Sequence, residues 1–115
     1  MQGKAGNKPK QKFAAAMAHE LIIRPEALED IDQAYGWYKR RQAGLGERFL
    51  RHLDDCLSAI CRSPNAHAIV YAHYRRAVVR RFPYVVFYEV EGERVNVYSI
   101  FHTSQKPRKW MDRLP

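Results

Sequence analysis

Four arginines, Arg75, Arg76, Arg80 and Arg81, crowd one short stretch, "RRAVVRRFPYVVFY", beside an unbroken apolar run. A guanidinium group binds phosphate or carboxylate with a planar fork of donors. The closing stretch "FHTSQKPRKW" adds His102, Lys106, Arg108 and Lys109, with Trp110 as an aromatic surface. An imidazole among cations can serve as general acid or base, and the cations can stabilise charge developing on a phosphorane. Residues of these types can therefore cut a polyanion or hold one. Each also has a plainer reading. Charge on an edge strand guards against sheet-to-sheet aggregation, and a lone histidine more often finishes a strand as a polar residue.

Other constellations carry less. Glu29, Asp30 and Asp32 read as a solvated first helical turn, and Asp54 and Asp55 as a solvated patch on a second helix, which leaves no paired-carboxylate hydrolase. His67 and His73 have no carboxylate between them, so no metal site is expected there. The chain has no glycine-rich phosphate loop, and no cofactor is expected. Cys56 and Cys61 are the only cysteines. Their spacing on a helix turns the thiols about 140° apart, so they read as small buried apolar groups in a reducing compartment.

The elements that must position the cations follow from periodicity. Leu21–Ile23 reads as a first strand. Pro25 then suits a helix N-terminus, Glu26, Glu29 and Asp30 suit its positive end, and Lys39, Arg40 and Arg41 suit its other end. Leu28, Ile31, Tyr35 and Tyr38 form the expected apolar stripe. Of Tyr35, Trp37 and Tyr38, two are expected in the core and one exposed. Gly44 in "AGLG" is available for a left-handed turn into a second helix from about Glu47 to Arg62. Its stripe is Leu50, Leu53, Leu57 and Ile60, broadened by Phe49 and Cys61, and Ser63-Pro64 ends it.

Residues 65–74 read as an irregular link, followed by strands at Arg75–Phe82, Tyr84–Val90 and Arg94–Phe101. "EGE" makes the last two a tight hairpin around Gly92. The predicted class is α+β with order β-α-α-β-β-β: a curved, mainly antiparallel sheet with a helical hairpin on one face and the other face open. Strand alternation sends Arg76, Val78 and Arg80 one way and Arg75, Ala77, Val79 and Arg81 the other. Burying all four guanidinium groups would be very costly, so a cationic open face is expected.

The 115 residues and formal charge of +8 allow one domain, placed at 20–112, after a basic segment 1–19 that reads as a disordered tail or a mis-assigned start. Met17 opens "MAHELIIRPEA", a natural beginning for a domain. Lys4, Lys8, Lys10 and Lys12 against Glu20 supply +3 of the charge through residue 20, leaving +5 beyond it. That balance favours acidic partners. No apolar run is long enough for a membrane span, and "FAAAMA" is short for a signal peptide, so a soluble cytoplasmic protein without a membrane partner is expected.

The order of elements, with "RPEALEDIDQAYGWY", "GLGERFL", "RRAVVRRFPYVVFYEV" and "SIFHTSQKPRKW", resembles the RelE/ParE family of toxins from bacterial type II toxin–antitoxin systems. The likeness runs from Leu21 to about Trp110. It implies a small toxin neutralised by a cognate antitoxin, itself small and with an acidic C-terminal segment. RelE-like members cut mRNA in the ribosomal A site; ParE-like members poison DNA gyrase. The cutting members carry an arginine just after the tyrosine that opens the third strand, where this chain has Val85. Their second arginine falls near Ser104, and their terminal tyrosine is matched by Trp110, which exchanges no proton. His102 is the acid/base left if the chain is a nuclease. The resemblance therefore leans to the ParE-like branch, with Arg75, Arg76, Arg80, Arg81, Lys106, Arg108 and Trp110 as residues for target or antitoxin. A basic protein- or nucleic-acid-binding domain without toxicity is the remaining alternative.

Overall fold

Pro25 opens the first helix because its fixed φ suits a first turn and its missing N–H costs nothing there. The structure, a computed structural model, describes residues 19–106 and 111–114. Strand β1 (Glu20–Ile23) leads through an extended Arg24 into helix α1 (Pro25–Arg41). The buried face of α1 is Ala27, Ile31, Ala34 and Tyr38. The expected stripe is thus rotated: Leu28 is 41% exposed and Tyr35 is half-buried. Two alanines replace them, because small side chains let the helix lie close against its neighbours. Tyr38 is buried and Trp37 exposed, so one aromatic of the three enters the core rather than two.

Helix α2 (Leu45–Arg62) follows Gly44, which is left-handed at φ +82° and accepts the Arg48 N–H at 3.1 Å through its carbonyl. The helix starts ahead of the expected Glu47. Phe49, Leu53, Cys56, Leu57, Ile60 and Cys61 are buried, with Leu50 half-buried at the margin. Burial pushes the Cys56 thiol up to about 12, which keeps it protonated. The two helices approach each other closely at Gly46. A Cβ there would lie 2.8 Å from the Tyr35 ring and 3.1 Å from the Tyr35 carbonyl oxygen.

After a short 3₁₀ turn at Pro64–Ala66 come β2 (Ile69–Tyr71), β3 (Tyr74–Val78), β4 (Tyr84–Glu91) and β5 (Arg94–His102). The sheet order is β1-β5-β4-β3-β2. β1 pairs with β5 in parallel and the other neighbours are antiparallel, so the sheet is mixed and the class is α+β as predicted. Two expectations fail locally. The link at 65–74 contains the edge strand β2, whose residues are all exposed and so show no alternation to read. The strand expected to reach Phe82 stops at Val78, and Arg81 has φ +67° in the turn that follows. At the β4–β5 hairpin Gly92 has φ +62°, as a two-residue turn led by glycine requires.

The helix-covered face of the sheet buries Ala77, Val79, Val86, Tyr88, Val95, Val97 and Ile100. Tyr38, Phe49, Phe82 and Tyr84 close one end of this core, with ring centroids 5.0–6.3 Å apart. The opposite face is not bare. Val85, Phe87 and Phe101 form a second buried cluster with Leu114 against it. β1 ends at Ile23, and beyond it Asp30 finishes the edge of β5 by accepting the Ile100 N–H at 3.0 Å. The same carboxylate holds the Arg113 guanidinium at 2.7 and 3.0 Å.

Gly46→Val forces α1 and α2 apart and is expected to cost about 1–3 kcal/mol. Gly36→Ala meets only the flexible end of Arg40, 3.3 Å away, and should add up to about 1 kcal/mol through helix propensity. Urea denaturation of both variants checks the pair of opposite signs.

Candidate functional site

The four arginines go to three different places. Arg76 faces outward from β3 opposite Phe87, on the face away from the helices. It borders a hollow of about 250 Å³ with Val70, Val85, Phe87, Phe101, Thr103 and Gln105. Arg75 turns to the helix side, where its Nη1 donates to the carbonyl of His67 at 2.6 Å and that of Asn65 at 3.2 Å. It fastens the link to the sheet. Arg80 and Arg81 lie past the strand, around a cleft of about 560 Å³ with Leu45, Arg48, His52 and Phe82. Arg76 and Arg80 therefore do not share a face. The two-residue alternation ends with β3 at Val78, and the left-handed Arg81 redirects the chain.

His102 belongs to a different hollow. It ends β5 and lines a cleft of about 550 Å³ with Asp30, Gln33, Trp37, Tyr38, Tyr84 and Ser104, among others. Its Nδ1 accepts the Ser104 N–H at 3.0 Å, and the Ser104 hydroxyl lies 2.7 Å from the same nitrogen. With Nδ1 accepting, a neutral ring carries its proton on Nε2, and the ring meets Tyr84 edge-on at 5.0 Å. None of the four arginines lines this cleft. The segment after β5 does return to Arg76, but through Thr103 and Gln105. Lys106 is exposed and lines neither hollow. Arg108 and Trp110 lie outside the described residues.

The face expected to be cationic also carries an anion. Glu89 accepts from the Tyr98 hydroxyl at 2.7 Å and from Asn96 Nδ2 at 3.4 Å, and sits 2.7 Å from His73 Nε2. The Tyr74 ring stacks on His73 at 4.4 Å and meets Tyr98 edge-on at 5.7 Å. Burial by itself would push the Glu89 carboxyl up. The hydrogen bonds from Tyr98, His73 and Asn96 outweigh burial and hold it below the usual carboxylate range. This network, like the Arg48–His52 pair, escaped the sequence reading. Arg48 and His52 are one helical turn apart outside the apolar stripe of α2, so their spacing was the available signal. The Glu89 partners come from β5 and from the turn before β3 and have no local signature. Trp37, 48% exposed with Arg41 4.6 Å above its ring, is a further surface feature of α1.

Because the folded state holds Glu89 below its unfolded value, its contribution to stability is present above the unfolded pKa and is lost as pH falls through the folded one. Glu89→Gln should flatten the fall in urea midpoint between about pH 6 and pH 3, around the ordinary glutamate value of about 4.3.

Residues 21–107 match the family described as the ParE toxin of the type II toxin–antitoxin system parDE. Toxin ParE2 of two Mycobacterium tuberculosis strains, CDC 1551 and H37Rv, is 25% identical over 92 residues, covering 79% of this chain and 88% of the relative. A chain from the structure of the chromosomal ParDE toxin–antitoxin system of P. aeruginosa superposes with a TM-score of 0.65 at 16% identity. That match covers 76% of this chain and 98% of the other, and it extends the agreement to the fold. Among the described residues no helix is long and apolar enough to cross a membrane, and no group of histidine, cysteine and carboxylate side chains could hold a metal. Its helical hairpin, its five-stranded mixed sheet and the match over nearly all of the described body place the chain in the ParE toxin family of type II toxin–antitoxin systems.

Proposed function

We propose that this chain arrests growth in the cytoplasm by binding an essential enzyme, DNA gyrase, rather than by cutting RNA, and that a cognate antitoxin neutralises it. The observation that carries this reading is the separation of His102 from the arginines. Cutting RNA by attack of the 2′-hydroxyl needs a base, an acid and cations gathered around one phosphate. Here the imidazole stands over Tyr84 and Ser104 in one hollow, while Arg76 borders another and Arg80 and Arg81 a third. Val85 contributes an apolar side chain beside Arg76, where a cutting toxin would need a cation.

An antitoxin with an acidic segment suits a body of net positive charge. The hollow beside Arg76 offers that segment one charge-assisted hydrogen bond within an apolar setting of Val70, Val85, Phe87 and Phe101.

Purified protein is expected to inhibit supercoiling by gyrase, with His102→Ala as active as the wild type. Mapped RNA ends on translating ribosomes that vanish in His102→Ala would replace this reading with an endonuclease. Arg76→Gln is expected to weaken antitoxin binding about tenfold or more, the loss of one hydrogen bond to a charged group, as read by titration calorimetry.

A further inference from the structure

The cleft between the start of α2 and the β3–β4 turn gathers three arginines and a histidine. Arg48 and His52 reach it from successive turns of α2, and Arg80 and Arg81 reach it from the turn. Among the described residues no carboxylate lines it. Among the described residues Arg48, Arg80 and Arg81 form no ion pair, whereas Arg94 pairs with Glu20 and Arg113 with Asp30. Asp55 lies in the adjoining hollow, which Arg80 and His52 also border, and so marks the limit of the cationic cleft. Leu45, in the first turn of α2, lines the cleft as well, so the positive end of the helix dipole adds to its field.

Two features say that the cluster is built. Arg81 holds a left-handed backbone at φ +67°, which costs a side-chain-bearing residue about 1–2 kcal/mol and would be relieved by glycine. The floor is fixed, because Phe82 packs edge-on against Tyr38 at 5.0 Å and Phe49 at 5.4 Å. Like charges gathered without counter-charge repel one another, and an anion that spans them removes that repulsion.

We propose that this cleft seats the phosphodiester backbone of a nucleic acid. An acidic protein segment fits less well. Such segments bind through apolar anchors with charges at the rim, and here, among the described residues, the apolar lining is Leu45 and Phe82. Guanidinium forks around an open cleft of about 560 Å³ match a ligand that repeats one anionic group and needs no apolar pocket. Contacts of this kind position a backbone without reading its sequence. The cleft is separate from the Arg76 hollow, and the inference does not depend on gyrase being the target.

The test measures binding of the full chain to a labelled DNA duplex and to a labelled single-stranded RNA by fluorescence anisotropy across a salt series. The variant is Arg48→Gln with Arg80→Gln and Arg81→Asn, since asparagine tolerates the left-handed backbone. The control is Arg40→Gln with Arg62→Gln and Arg94→Gln, which removes the same charge elsewhere; circular dichroism confirms that both fold. The slope of log K against log salt is expected to shallow by about 2–3 for duplex DNA or by about 2 for RNA in the variant, and by less than about 1 in the control. The arm with the larger shift identifies the nucleic acid. An unchanged slope in both arms overturns the proposal, as does an equal loss in the control, which would mean diffuse attraction. Displacement of both nucleic acids by a polyglutamate peptide that itself loses affinity in the variant also overturns it, in favour of an acidic protein segment.

Discussion

Between Val78 and Tyr84 the chain must leave one strand and begin its antiparallel neighbour, and it does so with Arg81 in the left-handed region. Val79 stays tied to the sheet side of this reversal by donating its N–H to the Tyr84 carbonyl at 2.9 Å. A strand continued to Phe82 would have put Arg76 and Arg80 on one face and made a single basic platform. Ending it at Val78 leaves Arg76 among apolar side chains and delivers Arg80 and Arg81 to α2. The same reversal brings Phe82 inward to Tyr38 and Phe49. The distribution of charge and the closing of the main core are thus one event in the backbone.

That event depends on how tightly the helical hairpin lies on the sheet. Ala27 and Ala34 allow α1 to approach, and Gly46 allows α2 to approach α1 at Tyr35. Phe49 can then reach the aromatic group at the end of the core. Dispersion and burial supply most of the energy here, while polar groups finish the edges. Asp30 completes β5 where β1 has run out, and Tyr88 gives its hydroxyl to the Pro64 carbonyl at 2.6 Å at the end of α2. Burial pushes that phenol up to about 12, so it remains a donor throughout the ordinary pH range.

Elements with a long apolar period were legible in the sequence. Both helices, the strand from Tyr84 and the glycine hairpin lie within a residue or two of expectation, because each carries its own local signal. Leu28 was misplaced because a stripe drawn through large residues overlooks alanines, and close helix packing prefers the alanines. β2 gave no signal, being a fully exposed edge whose pairing is decided by β3. The arginines stood out in the sequence as four cations, but their arrangement as a set did not. Their grouping depends on where β3 stops, and the turn there rests on a positive φ at Arg81, a residue type that seldom adopts one and so gives no warning in the sequence. His102 was likewise found without its surroundings, since Trp37 and Gln33 come from the far end of the chain. The Glu89 network required the register of three strands to be known first.

Leu114 rests on Val85, Phe87 and Phe101, in a segment clipped to α1 by Arg113 and Asp30. Whatever approaches this side of the sheet meets an occupant tethered to the same molecule, whose local concentration is set by the tether. Affinity here is then a contest between an internal and an external apolar contact. A tight binder must either lift the C-terminal clip or dock around it, and the first route couples recognition to the loosening of a segment fastened far away in sequence.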